Sequence, residues 1–154
     1  MSALRSLTAC SRVAMLLTVG GCGSSSSAEV GFTGAPWMGP ATTTVVCESG
    51  DSGVGTSDTS SAQSMLTFLV DGSGIEYTEE GCTFEFSVTG DTATLSNGAI
   101  TCSGASLDGS FTEVTVTSYT LTVSNGTALS GSASGMVLED GALCTFTVTT
   151  MASR

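Results

Sequence analysis

The sequence predicts an all-β fold: a small antiparallel meander of about eight strands that forms a closed or nearly closed barrel. Three observations support this prediction. The 154 residues include 20 glycines but only 2 prolines, threonine, serine, valine and phenylalanine dominate the chain, and glycine-containing turn pairs recur at intervals that suit short strands. No segment has convincing helical periodicity. A β-sandwich is the alternative architecture.

Eight segments have the composition and spacing of strands. They span 41–48, 63–70, 74–78, 82–88, 92–102, 111–124, 127–138 and 142–150. Between the first two lies Ser49–Ser61, rich in glycine, serine and aspartate, which we predict to be a long mobile loop. Apolar residues fall out of phase near Asn97–Gly98 and near Ser118, so we expect an irregularity or bulge at each place.

Turn residues predict three hairpins. The register of each hairpin is fixed by its apolar residues, because a slip of one residue would move every side chain to the other face of the sheet. The turns are Gly90–Asp91, Asn125–Thr127 and Asp140–Gly141. The first and third are two-residue turns, and the second is a three-residue loop with a glycine bulge. In each register apolar residues face one another: Val88 and Ala93, Val123 and Leu129, Val137 and Cys144.

The first 21 residues have the features of a secretory signal peptide. Arg5 and Arg12 precede a short apolar run at 13–19, about a third of the roughly 20 residues that a membrane-spanning helix needs. The ending Val19-Gly20-Gly21-Cys22 resembles the lipobox of bacterial lipoprotein precursors. The resemblance implies lipid attachment to Cys22 and, because Gly23 rather than aspartate follows, transport to the outer membrane. Plain secretion, with Cys22 as a further disulfide partner, and a retained helix are the alternatives.

The predicted chain has three parts. Residues 1–21 are the lipoprotein signal peptide, 22–35 are the lipidated cysteine with a Gly/Ser-rich tether, and 36–154 are a single disulfide-linked β domain. Processing removes Arg5 and Arg12, which leaves Arg154 alone against 14 acidic residues. Such a chain repels polyanions, which excludes nucleic acid as a partner, and it reaches the membrane through its lipid anchor rather than a basic patch. We therefore expect an exported protein, anchored in the outer membrane and facing the periplasm or the cell surface.

The β domain contains four cysteines: Cys47, Cys82, Cys102 and Cys144. In an exported protein this even number indicates two disulfides, with three possible connectivities. The spacing has no Cys-x-x-Cys pair, which disfavours a metal site. The predicted register places Cys82 diagonally from Cys102, and it leaves Cys47 and Cys144 to join the first and last strands, which are neighbours in a closed meander.

Composition also limits the chemistry. The chain has no histidine, which excludes a Ser-His-Asp triad, a Cys-His pair and His-ligated zinc. The acidic pairs Glu79–Glu80 and Glu139–Asp140 lie at predicted turns, where solvent covers them. The acidic loop 48–58 and the turn 71–74 lack the ligand spacing of a calcium-binding EF-hand. We predict that the protein is not an enzyme and that it holds no cofactor or metal.

Two non-enzymatic functions remain open. Strand lengths and hairpin order resemble the lipocalin-like and avidin-like meander barrels, in which a Gly-x-Trp often begins the first strand; here Gly34-Ala35-Pro36-Trp37 has one extra residue, and we predict Trp37 to be a core residue. This resemblance implies a carrier of a small apolar ligand. The predicted cavity lining is Phe84, Phe86, Tyr119 and Phe146. The other function, which we favour, is a binding or structural module of the cell envelope whose interior these side chains fill, with Phe146 over Gly135.

Overall fold

The computed structural model describes residues 31–48, 56–72, 74–79, 81–103, 111–139 and 142–154. These residues form an antiparallel sheet of ten strands, which confirms the all-β prediction. The strands are β1 (Trp37–Cys47), β2 (Thr56–Leu66), β3 (Leu69–Asp71), β4 (Gly74–Glu79), β5 (Cys82–Thr89), β6 (Thr92–Leu95), β7 (Ile100–Cys102), β8 (Phe111–Ser124), β9 (Ala128–Glu139) and β10 (Ala142–Ser153). Within these ranges no helix has the length and apolar character needed to cross a membrane. The predicted signal peptide, Cys22 and the tether up to residue 30 lie outside the described residues.

The sheet begins and ends with strands that are consecutive in the chain. Its order is β2-β1-β10-β9-β8-β6-β5-β4-β3, and β7 pairs with β8 beside this path. Only Thr67 and Phe68 separate β2 from β3. Consecutive Cα atoms are about 3.8 Å apart, so the end of β2 and the start of β3 lie within roughly 11 Å of each other. The sheet must therefore curve until its two edges come together.

The curved sheet is not closed into a barrel. Over the described ranges, ladders join β2 to β1 and β3 to β4, and none joins β2 to β3. The prediction of a closed barrel is therefore wrong for the hydrogen-bonded sheet. The physical reason lies at the junction of these strands: Phe68 is buried, whereas the next two residues, Leu69 and Val70, are both exposed. This break in alternation separates the two strands.

Two predicted strands are each divided in two, so the sheet has ten strands instead of about eight. The segment 63–70 contributes the end of β2 and the start of β3, and the segment 92–102 contains β6 and β7. The second division lies at the predicted irregularity, where the Asn97 side-chain amide donates a hydrogen bond to the Thr83 carbonyl oxygen (3.2 Å). Gly98 follows with φ of 73°, a conformation that glycine adopts without steric cost.

The first part of strand β2 was not predicted, because its sequence is polar. Residues 56–61 belong to this strand, so the prediction of a loop over Ser49–Ser61 is wrong for its second half; residues 49–55 lie outside the described residues. Strands β1 and β2 pair without a break from Trp37 opposite Leu66 to Cys47 opposite Thr56. Most of β2 is exposed on both faces, and a strand that buries neither face lacks the apolar alternation that identifies strands.

The predicted hairpin registers are confirmed. Val88 pairs with Ala93, Val123 with Leu129, and Val137 with Cys144. In the second hairpin, Asn125 and Gly126 have positive φ values of 54° and 68°, which suit a bulged loop. A register shift between Val116 and Ser118 confirms the predicted bulge in β8. The residues of the third turn, 140–141, lie outside the described residues.

One face of the curved sheet forms the core, and the other is mostly threonine and serine. The largest fully buried side chains are Trp37, Phe32, Phe86, Ile75, Leu121, Leu129 and Cys144. They come from both ends of the strand order, which is consistent with a sheet curved around one interior. The residues predicted to line a cavity belong to this interior face.

Candidate functional site

Three of the four predicted cavity residues pack against one another. The centroid of the Tyr119 ring lies 5.8 Å from that of Phe84 and 5.2 Å from that of Phe86. Both pairs are edge to face, which is a favourable geometry for aromatic rings. Tyr77 stacks on Phe84 at 6.1 Å. Burial raises the pKa of the Tyr119 hydroxyl far above its ordinary value, and the Glu79 carboxylate adds to the rise. These rings occupy the space that a ligand would need between them.

The fourth cavity residue, Phe146, lies over Gly135 of the neighbouring strand. A Cβ atom at Gly135 would collide with the Thr115 carbonyl oxygen of β8 and would lie 2.7 Å from Phe146 Cε1. At Gly131, two residues earlier, a Cβ atom would lie 2.9 Å from Leu121 Cδ2. Aromatic and aliphatic side chains therefore occupy the space that these glycines leave on the interior face.

A pocket of about 190 Å³ lies beside β4 and β5. Phe86 is the one predicted cavity residue that lines it, and Asp71, Glu85 and Ser96 also contribute to its wall. Ligand pockets for small apolar molecules span about 300–1,000 Å³ and have mostly apolar walls. This pocket is thus too small and too polar for the predicted ligand.

Both predicted disulfides are present. Cys47 and Cys144 lie directly opposite each other on β1 and β10, with Cα atoms 4.1 Å apart. Cys82 begins β5 and Cys102 ends β7, and their Cα atoms are 5.7 Å apart. The first bridge joins the first and last strands of the chain, as predicted from their adjacency. Disulfides persist in oxidising compartments, which indicates an exported protein.

Arg154 joins three segments of the chain at one end of the sheet. Its guanidinium donates hydrogen bonds to the carbonyl oxygens of Gly31 (2.9 Å), Thr33 (2.7 Å) and Gly126 (3.2 Å). The guanidinium also lies over the Trp37 ring, with Cζ 4.2 Å from the ring centroid, where the electron-rich face attracts a cation. We call these five residues the Arg154 clamp.

The Arg154 guanidinium covers Trp37, which forms an aromatic plug with Phe32; both of these side chains are fully buried. Trp37 Nε1 donates a hydrogen bond to the Phe32 carbonyl oxygen (2.8 Å). The Phe32 ring contacts Phe68 at 6.2 Å, and Phe68 contacts Phe86 at 6.4 Å. Trp37 is thus a core residue, as predicted. The role of Arg154 was missed, because its partners Gly31 and Thr33 lie more than 120 positions earlier in the chain.

Among the described residues, the acidic side chains considered as alternative sites do not converge. Over the described ranges no group of three or more Cys, Asp or Glu side chains could hold a metal ion. Glu48, Asp58 and Glu79 are exposed, and the Asp58 carboxylate accepts a hydrogen bond from the Thr59 backbone amide (2.8 Å). Glu80, Asp140 and the Glu139 side chain lie outside the description. The described carboxylates are therefore solvated individually.

Comparisons with known protein families, with curated proteins and with solved structures found no match to this chain. Three features of the chain itself bear on its function. These are the sequence at Val19–Cys22, the two disulfides and the packed interior.

Proposed function

We propose that this chain is an exported bacterial lipoprotein, anchored in the outer membrane through Cys22. Its β domain serves as a non-enzymatic binding or structural module on the periplasmic or cell-surface face of the envelope. The observation that carries the proposal is a domain with two disulfides in the chain that follows the lipobox-like Val19–Cys22 and its Gly/Ser-rich tether. Disulfide bonds need an oxidising compartment, and a lipobox directs a protein to the same side of the inner membrane. The two features therefore agree on location.

Contacts in the interior favour the filled module over a ligand carrier. Tyr119 packs between Phe84 and Phe86, and Phe146 covers Gly135. A carrier would need these side chains to leave an apolar cavity of about 300 Å³ or more. The same contacts instead bury aromatic surface, so the interior stabilises the fold and the outer face is left for interaction.

We also infer that the curved sheet behaves as a nearly closed barrel with eight strand positions. Strands β2 and β3 share one position, and β6 and β7 share another because both pair with β8. A row of directly paired residues can be followed across the whole sheet, from β2 to β3. It starts at Ser61 and ends at Asp71, ten residues later in the same chain segment. The row is Ser61, Thr42, Thr149, Ser132, Thr120, Thr94, Ser87, Gly74 and Asp71. Such a stagger accompanies the strand tilt of small barrels.

The anchor is tested by replacing its cysteine in the full-length precursor. Cys22→Ser should abolish incorporation of radiolabelled palmitate and move the protein from the membrane to the soluble exported fraction. Cys10→Ser is the matched control, because Cys10 lies inside the predicted signal peptide and should leave lipidation unchanged. Membrane partitioning that survives Cys22→Ser would refute the lipid anchor.

The destination is tested at the next residue. In the lipoproteins that the N-terminus resembles, aspartate after the cysteine retains the protein at the inner membrane. Gly23→Asp should therefore shift the lipidated protein from the outer-membrane to the inner-membrane band of a density gradient, whereas Gly23→Ala should not. An unchanged position for Gly23→Asp would contradict outer-membrane sorting while leaving lipidation itself intact.

A further inference from the structure

The outer face of β2, β1 and β10 carries no charged side chain. We call this surface the neutral wall. It consists of Ser57, Thr59, Ser61, Gln63 and Met65 on β2, Met38, Pro40, Thr42, Thr44 and Val46 on β1, and Leu143, Thr145, Thr147, Thr149, Met151 and Ser153 on β10. Asp58 is the one charged residue in these strands, and its register with Val45 places it on the opposite face. A neutral surface of this extent stands out on a chain with 14 acidic residues.

Three exposed methionines cluster on the neutral wall. Met38 lies directly opposite Met65, and it pairs on its other side with Ser153, two residues from Met151. Their side chains are 60%, 62% and 72% exposed. Methionine is flexible and adapts to irregular apolar partners, so these three residues form an apolar patch rather than part of the core.

The methionine patch lies where the chain enters the domain. Ser153 pairs with Met38, and the next residue, Arg154, holds the Gly31 carbonyl oxygen. Gly31 lies nine positions after Cys22, and nine residues of extended chain span at most about 30 Å. A lipid on Cys22 would therefore keep the patch close to the membrane surface. At such proximity the patch binds the membrane even if its intrinsic affinity for lipid is weak, because the tether gives the membrane a high effective concentration at the patch.

The charge distribution selects the wall that approaches the membrane. Most of the described acidic side chains lie on other strands or turns: Asp71 on β3, Glu76 and Glu79 on β4, Glu85 on β5, Asp91 after β5 and Glu113 on β8. Glu48 follows β1 at the end of the wall away from the methionines, and Asp58 lies on the opposite face of β2. A bilayer that contains anionic lipid repels these carboxylates. The neutral wall avoids that repulsion, and Arg154 at its end supplies a positive charge.

We propose that the neutral wall docks on the lipid surface, with Met38, Met65 and Met151 at the interface between headgroups and acyl chains. This inference rests on the proposed lipid anchor for its biological setting. Apolar side chains on one surface of an otherwise polar element are the usual means of interfacial binding. Docking orients the domain, so the acidic strands β3 to β5 face away from the bilayer and toward partners.

Methionine oxidation tests the docking. The mature chain from Cys22, whose thiol is the one outside the two disulfides, is coupled to a maleimide lipid in vesicles of phosphatidylethanolamine and phosphatidylglycerol. Chemical coupling separates this test from the biological anchor. The vesicles and the Cys22→Ser chain in buffer are treated with hydrogen peroxide, and sulfoxide is measured by peptide mass spectrometry. Met136 on β9, 39% exposed, lies beside the neutral wall and serves as the internal control.

We expect Met38, Met65 and Met151 to oxidise several-fold more slowly on vesicles than in buffer, with Met136 unchanged. Equal oxidation of all four in both conditions would overturn the proposal. Protection of the three in buffer, increasing with protein concentration, would also overturn it and would identify the wall as an interface between copies. Failure of Cys22→Ser to release the natural protein would refute the anchor without affecting this result.

A charge variant provides a second measurement. Thr147 lies in the middle of the neutral wall and is exposed, so Thr147→Glu should abolish methionine protection on the anionic vesicles. Protection should persist on vesicles of phosphatidylcholine alone, because the repulsion is electrostatic. Thr94→Glu on β6 is the matched control, exposed but outside the wall, and should keep protection on both. Equal behaviour of the two variants would contradict docking through this wall.

Discussion

Removal of each disulfide should destabilise the domain according to the length of the loop that the disulfide closes. Cys47–Cys144 encloses 97 residues of sequence separation and Cys82–Cys102 encloses 20. Loop-closure entropy in the unfolded chain gives a loss of about 4.7 kcal/mol for the longer loop and about 3.3 kcal/mol for the shorter one. The pair Cys47→Ala/Cys144→Ala should therefore lower the free energy of unfolding by roughly 1.4 kcal/mol more than Cys82→Ala/Cys102→Ala.

Guanidinium denaturation of the soluble Cys22→Ser chain measures this difference. Intrinsic fluorescence of Trp37, the one tryptophan of the chain, reports unfolding of the end opposite the Cys47–Cys144 bridge. The reduced wild-type chain is the control and should be less stable than either variant. Equal losses, or a larger loss at Cys82–Cys102, would refute the loop-length reasoning and would show that native contacts around each bridge dominate.

Three further predictions concern single positions. Gly135→Ala should reduce the free energy of unfolding by about 1–3 kcal/mol in denaturant titrations, because the new Cβ meets the Thr115 carbonyl oxygen and the Phe146 ring; no loss would mean that both β8 and this ring shift to accommodate the methyl group. Arg154→Lys should shift Trp37 emission to the red and cost about 1 kcal/mol, since lysine lacks the guanidinium fork; unchanged emission would exclude the Arg154 clamp. Tyr119 has a raised pKa, so folding favours its protonated form, and stability should fall by about 1.4 kcal/mol per pH unit above roughly pH 10. Tyr119→Phe should remove that slope, and an identical slope in thermal melts of the variant would contradict the assignment.

Features that depend on local alternation could be predicted from the sequence. The three-residue loop at Asn125–Thr127 could be predicted because only that loop length pairs apolar residues with apolar residues across the hairpin. The bulge near Ser118 could be predicted because the apolar residues of β8 change there from one alternating set of positions to the other. Both disulfides follow from the strand pairing that these registers imply. Each of these inferences needs an apolar face, because only burial makes a one-residue slip costly.

Features that depend on the curvature of the sheet and on the alignment of distant strands could not be predicted. Strand β2 has a polar sequence on both faces up to Gln63, so nothing in residues 56–62 distinguishes a strand from a loop. The break at Phe68 depends on rings from Phe32 and Phe86, which the curvature of the sheet brings to the same place. The neutral wall was also missed, because its apolar and polar residues become one surface only when β2, β1 and β10 are aligned.

Under the proposed lipid anchor, the Arg154 clamp would bear tension that reaches the domain through the tether. A pull on the tether acts first at Gly31, and there the load passes through two hydrogen bonds to Arg154 at the end of β10. Strand β10 is paired along both sides, with β1 and with β9, so its hydrogen bonds share the load. Without the clamp, the load would act first on the start of β1, which is paired with both β2 and β10. The same contact therefore fixes Gly31 and Thr33 beside the methionine patch and passes part of the load directly to β10.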